Sequence, residues 1–578
     1  CIGLVLYVRL ITHNLASSFV AALLFICCGP TMLTVCMASV HKLSTLSWWP
    51  WIFWITEKFI RTEKKIYLFL LSGGIGLSLL AGELQLFSLM LIFYSVYAIF
   101  AVRKNSGKKK YLLFRLFLSC LFGLLIGSIQ LIPSAELTLL SARLRSFEAS
   151  VSTSLPLSAL LPLFLPYVDW FKEANSLEEI LQFGSFFLVF TLWALIRKER
   201  YALLFTVFAL FLILFAFGSP AYWVYYKFFP FARFMQGGDE LAIPLMIVCP
   251  VIAAIGWGLF TKEKMRPPWR RGLFLVVFAL DCLLLSEIHI RNSPRQNSRP
   301  HLKEEEKIID IIKKDNPGSL GRIMRLGETD NIFNSNIPLI YSIYDIQGHF
   351  SFLLENYVNI IRSIDKRMIG APGYVFGDEA EARSAYSFDV ISLPVFNMLN
   401  MEYLVSAVSI ENDAYKLIYD GTVKVYKNLR CLPRAFLVDK YEIINSEPEM
   451  LKILSDSAFS PSEKIYLKEK PVWRVGGANL PCLSENKARI VDYKPDKIII
   501  ETRSLNNSLL FISDAFYPGW RCFIDEQNVK IYRANHAFRA VAVPRGAHTV
   551  EFHYLPFTVR LGNMLFVFGL LLALRQLI

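Results

Sequence analysis

Apolar residues in the first half of the chain come in long runs, separated by short polar or basic stretches. A helix that crosses about 30 Å of hydrocarbon needs roughly 20 such residues. The runs predict spans near 15–38, 44–60, 66–82, 85–102, 111–132, 180–197, 201–217, 241–260, 272–288 and 561–577. Glu57 and Lys58 fall inside the run at 44–60, which reads either as a span or as an interfacial amphipathic helix. The run at 155–168 is short and broken by proline, so it reads as re-entrant or interfacial. Between 289 and 560 the pattern changes, and no 18-residue apolar run occurs. KEEEKIIDIIKK at 303–314 has helical periodicity, and 354–364 reads as a second amphipathic helix. Short runs punctuated by turn residues predict strands at 423–426, 435–438, 497–501, 509–513, 521–524, 538–543 and 548–554. The pattern predicts a polytopic α-helical membrane protein of about ten complete spans. It carries a large extracytoplasmic α+β domain that ends in a β-sandwich-like segment. The expected divisions are 1–288, helical and transmembrane; 289–430, α/β; 431–560, β-rich; and 561–578, a C-terminal transmembrane helix.

Charge placement sets the expected topology. The basic clusters RTEKK (61–65), RKNSGKKK (103–110), RKER (197–200) and KEKMRPPWRR (262–271) are separated by even numbers of expected crossings. They therefore share one side, the cytoplasmic one by the positive-inside rule. Loops at 83–84, 133–179, 218–240 and 289–560 then face outward. Only 19% of the 578 residues are charged, and 54% are hydrophobic. The net charge of +13 lies mostly between apolar runs, which fits membrane topology better than a nucleic-acid groove, and no nucleic-acid motif occurs. The first residue is Cys1, and Ile2 to Leu6 read as the end of an apolar helix, so a preceding segment is expected. Seven of the ten cysteines lie in apolar segments. Cys431, Cys482 and Cys522 lie in the outer domain, either with one disulfide among them or as three buried thiols.

Ionisable and amide residues near the ends of spans are the candidates for chemistry. Glu83 and Gln85 sit in AGELQLF, a tight turn between two apolar runs. Glu83 is either a solvated turn carboxylate or a catalytic one. In QLIPSAELTLLSARLR, Gln130 ends a span, and Glu136, Ser141, Arg143 and Arg145 follow as an outer cluster. An acid beside arginines can hold a lipid phosphate, since the guanidinium fork matches phosphate oxygens. In FARFMQGGDELAIP, Arg233, Asp239 and Glu240 flank a Gly237–Gly238 turn. His41 stands at the outer end of a span and is either a local hydrogen-bonding residue or a ligand contact. Trp48, Trp49, Trp51 and Trp54 read as an aromatic belt. Tyr517 and Trp520 are candidates for a carbohydrate-binding face. No Ser/His/Asp motif, phosphate-binding glycine loop or zinc spacing occurs, so neither a metal nor a cofactor is expected.

Several of these stretches resemble the YfhO family of bacterial membrane proteins. AGELQLF stands where the family tends to carry Gly-His-Pro-Gln; Gly82 and Gln85 match, whereas Glu83 and Leu84 depart. QLIPSAELTLLSAR resembles its Gln-Leu-x-Pro-x-x-Glu segment. FNMLNMEYLVS, VYKNLRCLPRAFLV and the long DAFYPGWRCFID…YRANHAFRAVAVPRGAHTVEFHYLP resemble its outer-domain signatures. The resemblance implies a glycosyltransferase fold of the GT-C type, with no cofactor. The implied partners are membrane lipid, a polyprenyl-phosphate sugar donor and an envelope polymer acceptor such as lipoteichoic acid. Glu83 and Glu136 are then the catalytic candidates. His41, Gln85, Gln130, Arg143, Arg233, Asp239 and Glu240 are the substrate-binding candidates. In such enzymes a main carboxylate commonly follows the first transmembrane helix, which is expected ahead of Cys1. The alternative is a non-enzymatic assembly or transport factor whose outer domain binds polymer or a partner.

Overall fold

The computed structural model describes residues 1–36, 39–105, 109–142, 154–164, 181–218, 220–228, 238–265, 267–292, 302–326, 337–347, 352–364, 388–473, 475–476 and 486–578. The chain divides into two compact units. The first comprises Cys1–Ala135, Arg145–Ser298 and Thr558–Ile578; the second comprises Glu136–Leu144 and Arg299–Phe557.

The first unit is helical. Among the described residues, three helices are long and apolar enough to cross a membrane: Leu84–Lys104, Glu240–Lys264 and Phe557–Arg575. Lys109–Ile126 and Ser128–Leu140 pass the same test as one span bent by 66°. Five further apolar helices are shorter: Ile2–Thr12, Leu15–Cys27, Ile66–Leu80, Phe186–Ile196 and Arg200–Ala216. The expected count of about ten complete spans is thus not confirmed among the described residues. The run at 15–38 shows one physical reason. Its helix stops at Cys27, Cys28 turns extended (φ −73°, ψ 153°), and a new helix begins at Gly29–Pro30. Proline there has no N–H to continue the ladder. The backbone N–H freed at Gly29 donates instead to Gln182 O at 2.7 Å.

Helices in this unit approach closely where residues are small, as lipid-embedded helices do. A Cβ on Gly256 would lie 1.9 Å from the Phe190 carbonyl oxygen, so the helices Phe186–Ile196 and Leu245–Lys264 meet backbone to backbone only because that position is glycine. The core is aromatic. Trp49 is fully buried among Phe53, Phe87 and Tyr94, with ring centroids about 6 Å apart. Trp49 is therefore a core residue and not part of an interfacial belt, whereas Trp48, Trp51 and Trp54 are half-buried. Glu57, which made the run at 44–60 ambiguous, is buried within the helix Trp49–Thr62. It accepts hydrogen bonds from the Tyr97 and Tyr201 hydroxyls at 3.1 and 2.7 Å and lies 3.4 Å from Arg61 Nε. A buried carboxylate survives only with such partners.

Among the described residues, the second unit is built on three sheets. Its strands are β1 (Arg322–Leu326), β2 (Tyr344–Asp345), β3 (Met401–Ser406), β4 (Tyr415–Asp420), β5 (Lys424–Asn428), β6 (Ala435–Val438), β7 (Lys440–Ile443) and β8 (Lys464–Leu467). They continue with β9 (Lys487–Tyr493), β10 (Lys497–Ser504), β11 (Ser508–Ala515), β12 (Trp520–Ile524), β13 (Gln527–Val529), β14 (Ile531–Ala534), β15 (Phe538–Val543) and β16 (Gly546–Tyr554). The sheet orders are β2-β1-β3-β5-β4, β6-β11-β15-β14-β8-β7 and β13-β12-β16-β10-β9. The mixed first sheet is covered on both faces. Ile308, Ile309 and Ile312 of the helix Leu302–Asp315 pack on Ile323, Tyr403 and Val405, while Met324, Met401 and Leu404 face another core. That is why MEYLVS is buried at every position and shows no alternation. The second and third sheets share a core of Leu510, Ile512, Val541 and Val543 against Ile498, Ile500, Val550 and Phe552, a face-to-face sandwich.

Candidate functional site

The helix Val40–Ser47 gathers several of the expected residues in the first unit. His41 Nε2 lies 3.3 Å from Glu83 Oε2, with the imidazole half-exposed and the carboxylate 17% exposed. The next residue, Lys42, pairs with Glu240 at 2.6 Å, both side chains nearly buried. Thr45, one turn on, accepts a hydrogen bond from the Glu83 backbone N–H through its hydroxyl at 3.3 Å. Its carbonyl accepts from the Ser78 hydroxyl. The turn that presents Glu83 needs its glycine, because Gly82 has φ 104°, a region that side chains disfavour. A Cβ on Gly82 would sit 3.6 Å from the Gln130 amide nitrogen, which places Gln130 beside the same turn. Gln85 begins the helix Leu84–Asn105 and is buried.

Two acids from separate segments thus converge on one short helix. A carboxylate 3.3 Å from an imidazole can orient the ring and support it as a proton acceptor. The neighbouring ammonium–carboxylate pair sets fixed charge beside that dyad. Lys42 and Thr45 were not singled out from sequence. The available signal was helical spacing, since 41, 42 and 45 fall within one turn of each other.

Other expected residues fall elsewhere. Glu136 belongs to the second unit and is half-buried. Its charge acts on Tyr517 and Tyr554, whose hydroxyls are pushed up, Tyr517 to about 12, first by burial and then by Glu136. Tyr554 also packs on Trp520 at 5.2 Å and on Tyr517 at 6.3 Å. These aromatics, expected as an exposed face, are half-buried. Ser141 is buried and donates to Thr138 O at 2.8 Å. Arg143, Arg145, Arg233, Gly237 and the Asp239 side chain lie outside the described residues, as does Cys482. Cys431 and Cys522 are free thiols. Among the described residues, no group of three His, Cys, Asp or Glu has the makings of a metal site.

Further polar groups were missed. Asp281 sits inside the expected span 272–288 and is buried; a Cβ on Gly184 would come within 2.7 Å of its Oδ2. A carboxylate inside an apolar run was the signal for it. Asp514, in the second unit, is bound by Arg322 at 2.9 Å, Arg434 at 2.9 Å and Arg539 at 3.1 Å. It also accepts from the Tyr493 hydroxyl at 2.9 Å. Burial alone would raise its carboxyl, but the three guanidiniums and the hydroxyl outweigh that and hold it at about 2. Asp345, buried with Arg325 at 3.0 Å, is instead pushed up, because burial exceeds what one guanidinium returns.

Apolar helices of spanning length joined to a β-rich unit define a membrane protein. Residues 479–566 match the model of the family described as bacterial membrane protein YfhO, and the chain resembles that family through β9 to β16 and the start of the last helix. One solved structure, the cryo-EM structure of the arabinofuranosyltransferase AftD from mycobacteria, is similar at 9% identity and a TM-score of 0.45. The similarity covers 95% of this chain and 50% of that one, so this chain spans about half the length of that protein. No curated protein matches the chain.

Proposed function

We propose that the protein transfers a sugar from a polyprenyl-phosphate carrier to a cell-envelope polymer of the lipoteichoic-acid kind. The reaction takes place at the outer face of a multi-pass, GT-C-like helical domain. The observation that supports this reading best is the His41–Glu83 dyad beside the Lys42–Glu240 pair in a unit of apolar helices. In this reading Glu83 and His41 draw a proton from the acceptor hydroxyl as it attacks. Gln85 and Gln130 position the acceptor near the turn. Arg233, ahead of Asp239 and Glu240 in the same loop, orients the lipid phosphate and stabilises its developing charge. Residues 289–560 are extracytoplasmic. The test is an envelope-glycosylation assay in a deletion strain complemented with the full-length gene. Loss of glycosylation with Glu83→Gln and His41→Ala, at normal protein level, is expected. Normal glycosylation with both variants sinks the site assignment.

A second reading, a non-enzymatic assembly or transport factor, draws on the Tyr517, Trp520 and Tyr554 cluster with Glu136. Polymer binding that is lost with Trp520→Ala, in a protein that turns over no lipid-linked sugar, favours it.

A further inference from the structure

The second unit contains an open cavity of about 480 Å³ that neither reading above uses. Its size falls within the usual range for small-molecule sites. Polar and apolar residues both line it, and the polar part is built rather than incidental. Glu402, on β3, is only 8% exposed. Its Oε1 accepts from the Asn316 amide at 2.7 Å, and its Oε2 accepts from the Ser319 hydroxyl. Each oxygen keeps a further lone pair. A Cβ on Gly321 would lie 1.9 Å from Glu402 Oε2, so a residue without a side chain is what lets the carboxylate stand where it does.

The charges around the cavity decide what it accepts. Lys427 lies in the wall but its ammonium is held by Asp315 at 2.6 Å. Arg434, also in the wall, is held by Asp514 and sits between the rings of Tyr344 and Tyr493 at 4.4 and 4.3 Å. Lys427 is therefore neutralised, and Arg434 is engaged by a carboxylate that it shares with Arg322 and Arg539. Among the described residues the hydrogen bonds that Glu402 accepts from side chains come from neutral donors, the Asn316 amide and the Ser319 hydroxyl. An anion is disfavoured beside it, and a ligand rich in hydroxyl donors is favoured. Asn400, also lining the cavity, is held in the left-handed region at φ 59° and is 6% exposed. Its amide donates to Leu432 O at 2.9 Å, while its Oδ1 has no partner among the described residues. Ala488, Ile490 and Pro433 add hydrocarbon to the lining.

We propose that this cavity is a binding site for a single uncharged sugar ring. The hydroxyl edge meets Glu402 and the neighbouring amides, and the C–H face lies on Ala488 and Ile490. The site is independent of the transfer reaction: it needs no turnover and no lipid carrier.

The experiment is titration of the purified full chain in detergent micelles with three probes: glucose, N-acetylglucosamine and glucuronate. Binding is read by isothermal titration calorimetry, and integrity by thermal unfolding. At least one neutral sugar is expected to bind more tightly than glucuronate. Glu402→Gln is expected to weaken it by about tenfold or more, the loss of a charge-assisted hydrogen bond. Ala488→Trp, on the partly exposed β9, fills the cavity and is expected to abolish binding without lowering the melting temperature. If Glu402→Gln does not fold, Ala488→Trp alone decides. Neutral-sugar binding that survives Ala488→Trp overturns the proposal. So does glucuronate binding as tight as the best neutral sugar, or no binding of either neutral sugar at tens of millimolar. None of these outcomes bears on Glu83, so failure here is distinguishable from failure of the transfer reading.

Discussion

Asp514 and Glu83 are both carboxylates beside cationic or ionisable partners, yet the two units treat them in opposite ways. Asp514 is buried and gripped by three arginines and a tyrosine, so every oxygen lone pair has a fixed use. Glu83 keeps 17% of its side chain exposed and faces one imidazole that is itself 52% exposed. The first arrangement holds charge still to stabilise a fold. The second leaves charge free to change partner, which is what the proposed transfer would ask of Glu83. Burial and partner count, not residue type, separate a structural acid from a chemical one.

The largest effect that tests this contrast is Asp514→Asn. It leaves three largely buried guanidiniums without their shared anion, and breaking a buried pair costs on the order of 3–5 kcal/mol. Thermal unfolding in micelles should show a fall of several degrees or a failure to fold. A variant as stable as the parent would show that Asp514 is not a structural acid. Acid should act in the same direction. A carboxyl held at about 2 stabilises the fold fully above the ordinary aspartate range, and that contribution fades as pH falls from about 4 toward 2.

The two sites were unequally legible in the sequence. Strands between 435 and 554 were marked by turn residues and alternation, and β6, β10, β11, β12, β15 and β16 lie where the pattern put them. By contrast, β3 was hidden, because both of its faces are buried and the period of two vanishes. The break at Cys28 was hidden inside a continuous apolar run, since hydropathy does not see a backbone bend. His41, Glu83 and Glu240 could be named one by one as polar residues at the ends of runs. Their pairing could not, because 41 and 240 are brought together only by tertiary packing. Asp514 was invisible as a site for the same reason: its arginines lie at 322, 434 and 539, and each alone reads as an ordinary surface cation.

Glu83→Gln reverses the pattern expected of Asp514→Asn. It should lower glycosylation by roughly 10²–10⁴-fold, the usual worth of a general acid or base, while changing the melting temperature little. The partly exposed pair has little folding energy to lose. A variant that melts early and keeps activity would place Glu83 with Asp514 and collapse the distinction.

Lys42 and Glu240 lie between these extremes, since both side chains are about 12–13% exposed. A double-mutant cycle with Lys42→Met and Glu240→Gln should return a coupling of about 1–2 kcal/mol in stability, more than a surface pair gives and less than the Asp514 cluster. A coupling near zero would mean that the pair holds the helix Val40–Ser47 no more firmly than solvent does.

The smallest effect concerns an exposed clip in the second unit. Asp525 begins a tight turn at φ 47°; its Oδ1 accepts from the Thr549 N–H at 2.9 Å, and its Oδ2 faces His548 Nδ1 at 2.6 Å. The other ring nitrogen of His548 faces the Arg545 carbonyl at 3.1 Å. Both nitrogens meet acceptors, so the doubly protonated ring is the form that satisfies the site. Partial burial works against that charge, but Asp525 and the carbonyl outweigh it and raise the imidazole above its ordinary value. The sign follows from the raised value. The clip contributes fully below about pH 6.5 and loses its contribution as pH climbs through the folded value. Asp525 is 53% exposed, so solvent screening limits the gain to a few tenths of a kcal/mol. His548→Gln should therefore melt slightly below the parent at pH 5.5 and alongside it at pH 8.5. A gap that widens with pH would mean that the neutral ring is the one the turn prefers.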